Sequence, residues 1–369
     1  TERSNAMDST PTIFLTGATG QLGSFLLAEF LGFGSSLAYT GQVICSVRAS
    51  SSLDQIDWVE DFYKLAEGTI KTHKNIHFVP CELLNAHNTV DILDQYCLKN
   101  DFPMPSEVIH AAATINISPG TSKSTSNAEL TDEVLLIAEL LKVTHFSHVS
   151  SIAVLGGTAP LGELETLDPE HFHPSRSKAG SSDYALSKME SELGVWRAQA
   201  EGMSVSIVRP GVILGIGPKA SAPQKLWQRV YDNSLPFITD GCSGVVDVRD
   251  VAMIVRMCHE SRLTSPVTAV SKNIDFNELV MGMANGLGLQ LKVQLLHRIP
   301  WLNRMRAFSF LRHVPIIGPY FTAQMRIMLF SRVAYNGASG ESMVKDYILP
   351  ARSFADFGAL LSERWGANE

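Results

Sequence analysis

The most informative stretch of the chain is TIFLTGATGQLG, residues 12–23. Its first five residues are apolar or β-branched, which is typical of a short buried strand. Three glycines follow at GxxGxxG spacing, and a helical pattern continues to about Leu31. A strand, a glycine turn and a helix in direct succession predict the first unit of a parallel α/β sheet.

The same alternation continues along the chain. Further short apolar runs occur at 43–47, 76–80, 107–110, 145–149 and 204–208. Helical patterns separate them, at 53–67, 88–98, 127–142 and 183–200. Strands that alternate with helices predict a parallel sheet covered on both faces, a doubly wound Rossmann-type α/β fold.

This alternation stops near residue 215, and the rest of the chain is irregular, with scattered Pro and Gly. We therefore expect a Rossmann-type domain over 7–215 and a smaller, mostly helical C-terminal substrate lobe over 216–369. Within that lobe, about 240–260 is expected to return to the first domain. Residues 1–6 are interpreted as an expression scar before Met7.

Composition limits the classes of protein. The 369 residues are 45 % hydrophobic, which excludes a disordered chain, and the net charge of −7 argues against a nucleic-acid binder. Five cysteines without a CxxC pair predict no zinc site and reduced thiols, hence a cytoplasmic location. No apolar run is long enough for a spanning helix, and the scattered histidines predict no metal site.

The glycine turn itself predicts a dinucleotide site. Gly17 and Gly20 allow the backbone to turn tightly and to approach a pyrophosphate, and Gly23 allows the helix to pack against the strand. The N-terminus of the helix then faces the negative phosphates. The remaining predicted contacts in this turn are Thr19, Gln21 and Leu22.

The end of the second predicted strand selects between the two nicotinamide dinucleotides. An NAD site places a carboxylate there, whereas this chain reads Ser46-Val-Arg48-Ala-Ser50. Arg48 can pair with a 2′-phosphate and Ser50 can add a hydroxyl donor, so the pattern favours NADP(H). The competing interpretation of Arg48 is a solvated side chain in a surface loop.

Catalytic chemistry is indicated by Tyr184 and Lys188, which form a YxxxK pair on one face of a predicted helix. Tyrosine has a pKa near 10, and a neighbouring ammonium would lower that pKa and so activate the phenol as a proton donor. Ser151 follows a predicted strand and can share the charge of a developing oxyanion.

Taken together, the motifs resemble the extended short-chain dehydrogenase/reductases. Five motifs occur in the order found in that family: TGATGQLG (16–23), HAAA (110–113), VSSIAVLG (149–156), YALSK (184–188) and RPGVILG (209–215). A weaker match follows at 246–252. This resemblance covers about 11–215 and, with the weaker match, extends to about 255. Within the family, TGATGQLGSFLL (16–27) and VICSVRAS (43–50) look most like the NADPH-dependent thioester and carboxylate reductase branch. That branch reduces acyl groups carried on phosphopantetheine.

This resemblance implies roles for individual residues. Ser151 would orient a carbonyl, Tyr184 would be the acid/base, and Lys188 would support it and bind the nicotinamide ribose. Asn127 would hold a proton-relay water, although the same residue could simply be an N-cap. Glu82 stands where the family usually has Asp. Further cofactor contacts would come from Leu83, Ala111, Ala112, Ala113, Pro210, Gly211, Val212 and Ile213.

The resemblance leaves alternatives open. A reductase of a ketone, aldehyde or carrier-bound thioester on a sizeable apolar substrate is favoured. A nucleotide-sugar epimerase or dehydratase, which would normally hold NAD, and a non-catalytic NADP sensor compete with it. Family members commonly dimerise through helices that here span 127–142 and 183–200.

Segment 291–332 carries seven Lys and Arg and no Asp or Glu. Three interpretations compete: a capping lobe over its own core, a substrate tunnel with a basic mouth for an acidic carrier protein, and a segment lying on an anionic membrane surface. Its prolines divide it into short pieces and disfavour the membrane interpretation.

Overall fold

A computed structural model describes residues 10–34, 37–113, 127–156, 164–167, 183–219, 221–235, 238–239, 241–291, 295–296 and 332–366. Its strands are β1 (Ile13–Thr16), β2 (Val43–Val47), β3 (Ile76–Pro80), β4 (Glu107–His110), β5 (His145–Val149), β6 (Glu165–Leu167), β7 (Val205–Pro210), β8 (Val212–Leu214), β9 (Ile238–Thr239), β10 (Cys242–Asp247), β11 (Val267–Ala269), β12 (Lys272–Asp275), β13 (Leu295–Leu296) and β14 (Val333–Tyr335). Its helices are α1 (Gln21–Phe30), α2 (Asp54–Phe62), α3 (Ala86–Asn100), α4 (Asn127–Leu141), α5 (Asp183–Ala200), α6 (Ala222–Tyr231), α7 (Val248–Glu260), α8 (Phe276–Gly286), α9 (Ala338–Glu341) and α10 (Pro350–Gly366).

Seven of the described strands form a parallel sheet in the order β11–β7–β5–β4–β1–β2–β3. β1 lies between β2 and β4, so the strand order reverses at β1. In open α/β sheets, ligands bind outside the carboxyl ends of the strands at such a reversal. The predicted Rossmann-type α/β fold is therefore confirmed, and the sheet identifies the edge at which to look for a site.

The central strand β1 is almost wholly apolar because both faces of the sheet are covered. In β1, Ile13 and Leu15 pack into one layer, with α1, α2 and α7, while Phe14 packs into the opposite layer, with α3, α4 and α5. All three side chains are fully buried. Alternate residues of a strand face opposite sides, so a strand covered on both sides reads as a continuous apolar run.

Beyond residue 215 the chain returns to the sheet at two places. α7 packs in the layer of α1, within the range expected to return. β11 then pairs with β7 at the end of the seven-stranded sheet. A separate three-stranded sheet contains β12, β10 and β8.

Several predicted boundaries were wrong. The helix expected over 88–98 spans Ala86–Asn100, and the strand expected over 204–208 spans Val205–Pro210. The helix expected over 53–67 spans only Asp54–Phe62, because Lys64 adopts a left-handed φ of 55° and ends it. Most of segment 291–332 lies outside the described residues. None of the described helices combines the length and the apolarity needed to span a bilayer.

Candidate active site

Two glycines of the turn between β1 and α1, Gly17 and Gly23, have no room for a side chain. Gly17 has a φ of +79°, and a Cβ added there would lie 2.6 Å from the Ala112 nitrogen. A Cβ on Gly23 would lie 2.1 Å from the Gly17 carbonyl oxygen, to which the Gly20 N–H donates at 2.9 Å. The first turn of α1 contains no acidic side chain, so its N-terminus can accept an anion.

Two other predicted segments meet this turn. The Ala112 N–H donates to Thr16 Oγ1 at 3.3 Å, which joins the segment after β4 to the end of β1. Gln21 Nε2 donates to the Ile213 carbonyl oxygen at 3.3 Å, which joins α1 to β8.

The remaining predicted residues of these segments differ in exposure. Leu22 is buried in the core, so only its backbone is available to a ligand. Thr19 is half-buried, whereas Ala113 and Val212 are exposed. Pro210 ends β7, and the Gly211 N–H that follows it donates to the Ala269 carbonyl oxygen at 2.9 Å.

Arg48 and Ser50 are exposed just beyond the carboxyl end of β2. Because β2 is the direct neighbour of β1, they lie on the same edge of the sheet as the glycine turn. Glu82 and Leu83 follow β3, one strand further out, where the Glu82 side chain is exposed and Leu83 is half-buried. The segment after β2, the strand next to β1, therefore carries a guanidinium and a hydroxyl, whereas the Glu82 carboxylate follows β3.

Ser151 and Tyr184 are joined by a side-chain hydrogen bond. Ser151 directly follows β5 and caps a short 3₁₀ helix, in which the Ala153 N–H donates to its Oγ at 3.2 Å. Tyr184 lies in the first turn of α5, and Lys188 lies one turn further on. Lys188 Nζ donates to the Val149 carbonyl oxygen at 3.0 Å, so it is anchored at the end of the same strand.

Burial is the largest influence on the pKa values of Tyr184 and Lys188. It raises the pKa of Tyr184 above its usual range, and the hydrogen bond with Ser151 acts against that rise. It lowers the pKa of Lys188 to about 8, against the attraction of Glu192. The lowering of the Tyr184 pKa that the sequence argument predicts is therefore wrong for this structure, because desolvation of the phenol outweighs the stabilisation of its charged form.

Asn127 begins α4 and is directed at the helix that carries the tyrosine. Its Nδ2 donates to Ser187 Oγ at 3.0 Å, and Ser187 Oγ donates to the Tyr184 carbonyl oxygen at 2.9 Å. The buried amide thus fixes the first turn of α5 relative to α4.

A buried polar layer beneath these residues was not found by the sequence reasoning. It contains Glu192, Arg209, His110 and His148, each no more than 4 % exposed. The one available signal was the position of Glu192, four residues after Lys188 on the same helix face. The described residues contain no group of three His, Cys, Asp or Glu that could hold a metal ion.

The chain resembles known proteins in a family model, in sequence and in fold. Residues 15–277 match the family model for male sterility protein. Isonitrile lipopeptide synthase of Mycobacterium tuberculosis is 28 % identical over 209 residues, 55 % of this chain and 8 % of that protein. L-2-aminoadipate reductase of Saccharomyces cerevisiae is 26 % identical over 308 residues, 75 % of this chain and 20 % of that protein. The chain therefore spans a small part of these relatives.

Among solved structures, the terminal R domain from the myxalamid PKS-NRPS biosynthetic pathway superposes with a TM-score of 0.70 at 18 % identity. The match covers 97 % of this chain and 92 % of that one, and shows the shared fold. The family match runs from β1 into α8, so it includes the glycine turn and the helices α4 and α5 that carry Asn127, Tyr184 and Lys188. The chain accordingly belongs to the male sterility protein family, within the reductase-like branch of the extended short-chain dehydrogenase/reductases.

Proposed function

We propose that the chain is an NADPH-dependent reductase that adds hydride to the carbonyl group of a sizeable apolar substrate. The observation that carries this proposal is the hydrogen-bonded Ser151–Tyr184 pair, with Lys188 one turn away. Ser151 follows β5, at the same edge of the sheet as the glycine turn that follows β1. A proton donor and a dinucleotide cradle at one edge are the two parts that carbonyl reduction requires.

The residues present fit a bound NADPH. The backbone around Gly17 and Gly23 leaves no room for side chains, which suits close approach of a pyrophosphate to the N-terminus of α1. Arg48 and Ser50 suit a 2′-phosphate at the neighbouring strand end. When bound, NADPH supplies the hydride from C4 of its nicotinamide ring.

The protein's own residues handle the substrate oxygen. The Ser151 hydroxyl donates a hydrogen bond to the carbonyl oxygen and polarises it. Tyr184 transfers its phenolic proton to that oxygen as negative charge develops there. The Lys188 ammonium stabilises the resulting phenolate, and Asn127 orients the turn of α5 that carries both groups.

A carrier-bound acyl thioester is the favoured substrate. One relative is named isonitrile lipopeptide synthase, and one similar structure is the terminal R domain from a PKS-NRPS biosynthetic pathway; both names suit acyl substrates and support this choice. Hydride and proton addition to a thioester gives a hemithioacetal, which releases the thiol and leaves an aldehyde. We also retain an acidic carrier protein as partner and a homodimer through α4 and α5 as proposals.

Steady-state NADPH oxidation tests this function, measured with an acyl phosphopantetheine thioester, a free aldehyde and a free ketone of equal chain length. We expect turnover with the thioester, and a loss of about 10²-fold or more in kcat for Tyr184→Phe. Turnover with only the free carbonyls would refute the thioester assignment. Full activity of Tyr184→Phe would refute the acid/base role.

The competing function is that of a nucleotide-sugar epimerase or dehydratase. Such an enzyme is redox-neutral overall and would consume no NADPH. Arg48 at the end of β2 argues against the NAD that it would normally hold.

A further inference from the structure

We propose that Glu192 is a positioning residue for the reduction, because its buried carboxylate joins the three segments that carry the site and faces the Lys188 ammonium. This inference rests on the proposed reductase function.

The Glu192 carboxylate is enclosed by donors. Glu192 and Arg209 form a buried ion pair in which the guanidinium contacts both carboxylate oxygens, with Nε donating at 3.1 and 3.2 Å. Ser150 Oγ donates to Oε2 at 2.6 Å and Trp196 Nε1 donates to Oε1 at 3.2 Å. Charge-assisted bonds in a buried site are strong and directional, so they fix the relative positions of their carriers.

Two of these partners, Ser150 and Arg209, are each next to a residue of the site. Ser150 precedes Ser151 at the end of β5, and Arg209 precedes Pro210 at the end of β7. Glu192 itself is one helical turn beyond Lys188. The carboxylate therefore links the serine, the lysine and the segment from Pro210 that is expected to contact the cofactor. A shift of any one segment would break a buried charged bond.

Glu192 is also the anion that acts on Lys188. Burial lowers the pKa of Lys188 to about 8, and the charge of Glu192 opposes this. The Lys188 charge also acts on two other titratable groups, His110 on β4 and His148 on β5, and Tyr184 lies one turn before Lys188 on α5. Both histidines are held neutral, since burial and the Lys188 charge lower their pKa values. The charge of Glu192 is therefore what favours the ammonium form.

The test is the titration of Lys188 in the full chain labelled with ¹³C-ε lysine, with its NMR resonance identified by its loss in Lys188→Met. We expect the midpoint to fall by about one pH unit in Glu192→Gln, a tenfold loss of proton affinity. The alkaline limb of kcat/KM should move by the same amount. Glu192→Asp should keep the wild-type midpoint, as should the control Glu201→Gln, which alters an exposed carboxylate just beyond α5.

Glu192→Gln leaves Arg209 buried without its anion, so the double variant Glu192→Gln/Arg209→Gln is titrated alongside it. We expect its midpoint to fall as well. A folded single or double variant with the wild-type midpoint would overturn the inference. The NMR titration needs no substrate, so an absence of turnover in every protein would refute the proposed reaction and not the role of Glu192.

Discussion

Replacing Lys188 with methionine should stabilise the protein without its cofactor at neutral pH. Burial lowers the pKa of Lys188 from 10.5 to about 8, so charging this amine in the fold costs about 3 kcal/mol relative to the unfolded chain. Methionine has a similar length and carries no charge. It loses the hydrogen bond to the Val149 carbonyl oxygen, which offsets about 1 kcal/mol. We therefore expect Lys188→Met to raise the free energy of unfolding by about 2 kcal/mol at neutral pH.

The pH dependence of this difference has a definite sign. Between pH 8 and 10.5 the unfolded wild-type chain binds a proton at Lys188 that the folded protein does not, so wild-type stability rises with pH. The variant lacks this rise. The extra free energy of unfolding of Lys188→Met should therefore shrink across that window. Above the window the variant should be about 1 kcal/mol less stable than wild type, because only the loss of the hydrogen bond then remains.

Urea unfolding followed by circular dichroism measures both quantities, at pH values on either side of the window. Lys225→Met is the matched control, since Lys225 is exposed on helix α6 and should give no such trend. A Lys188→Met protein that is less stable than wild type at neutral pH, or a difference that does not vary with pH, would show that the burial argument is mistaken.

Three other changes give further predictions. Gly23→Ala places a Cβ 2.1 Å from the Gly17 carbonyl oxygen, so it should destabilise the protein by about 1–3 kcal/mol. It should also weaken NADPH binding, measured by fluorescence titration. The control Gly366→Ala, where a Cβ would meet no atom within 4 Å, should do neither. Arg48→Ala should weaken NADPH binding by about tenfold to a hundredfold and leave NADH binding unchanged, because only NADPH carries the 2′-phosphate; equal losses would exclude this role. His148→Leu should gain about 1.4 kcal/mol in free energy of unfolding over wild type for each pH unit below 6.5. The reason is that the buried wild-type imidazole stays neutral, whereas the unfolded chain accepts a proton there. Chemical denaturation at several pH values tests this, with a leucine substitution of the exposed His87 as control.

The sequence predicted those parts of the fold that depend on local pattern. The runs at 43–47, 76–80, 107–110 and 145–149 became strands with these bounds, because the apolar residues in each short run suit a parallel sheet that is covered on both faces. β11 was missed because Val267–Ala269 is too short to carry a pattern. Its place in the sheet depends on pairing with β7, which is distant in sequence.

The candidate site shows the same division. The glycine turn, Ser151, Tyr184 and Lys188 were found from motifs, and the structure brings the Ser151 and Tyr184 side chains together. The bonds of Glu192 to Ser150 and Arg209 were not predicted, since they depend on how α5 lies on β5 and β7. The direction of the Tyr184 pKa shift also required the structure, because burial cannot be read from a four-residue spacing.

Tracing of the hydride tests the central claim most directly. NADPH carrying deuterium at C4 is incubated with an acyl thioester, and the product is analysed by mass spectrometry. The proposed reduction predicts that the thioester becomes an aldehyde with one deuterium on the former carbonyl carbon for each NADPH oxidised to NADP+. Tyr184→Phe should abolish this incorporation of deuterium. A product without deuterium, formed with no consumption of NADPH, would contradict the account and favour a redox-neutral reaction.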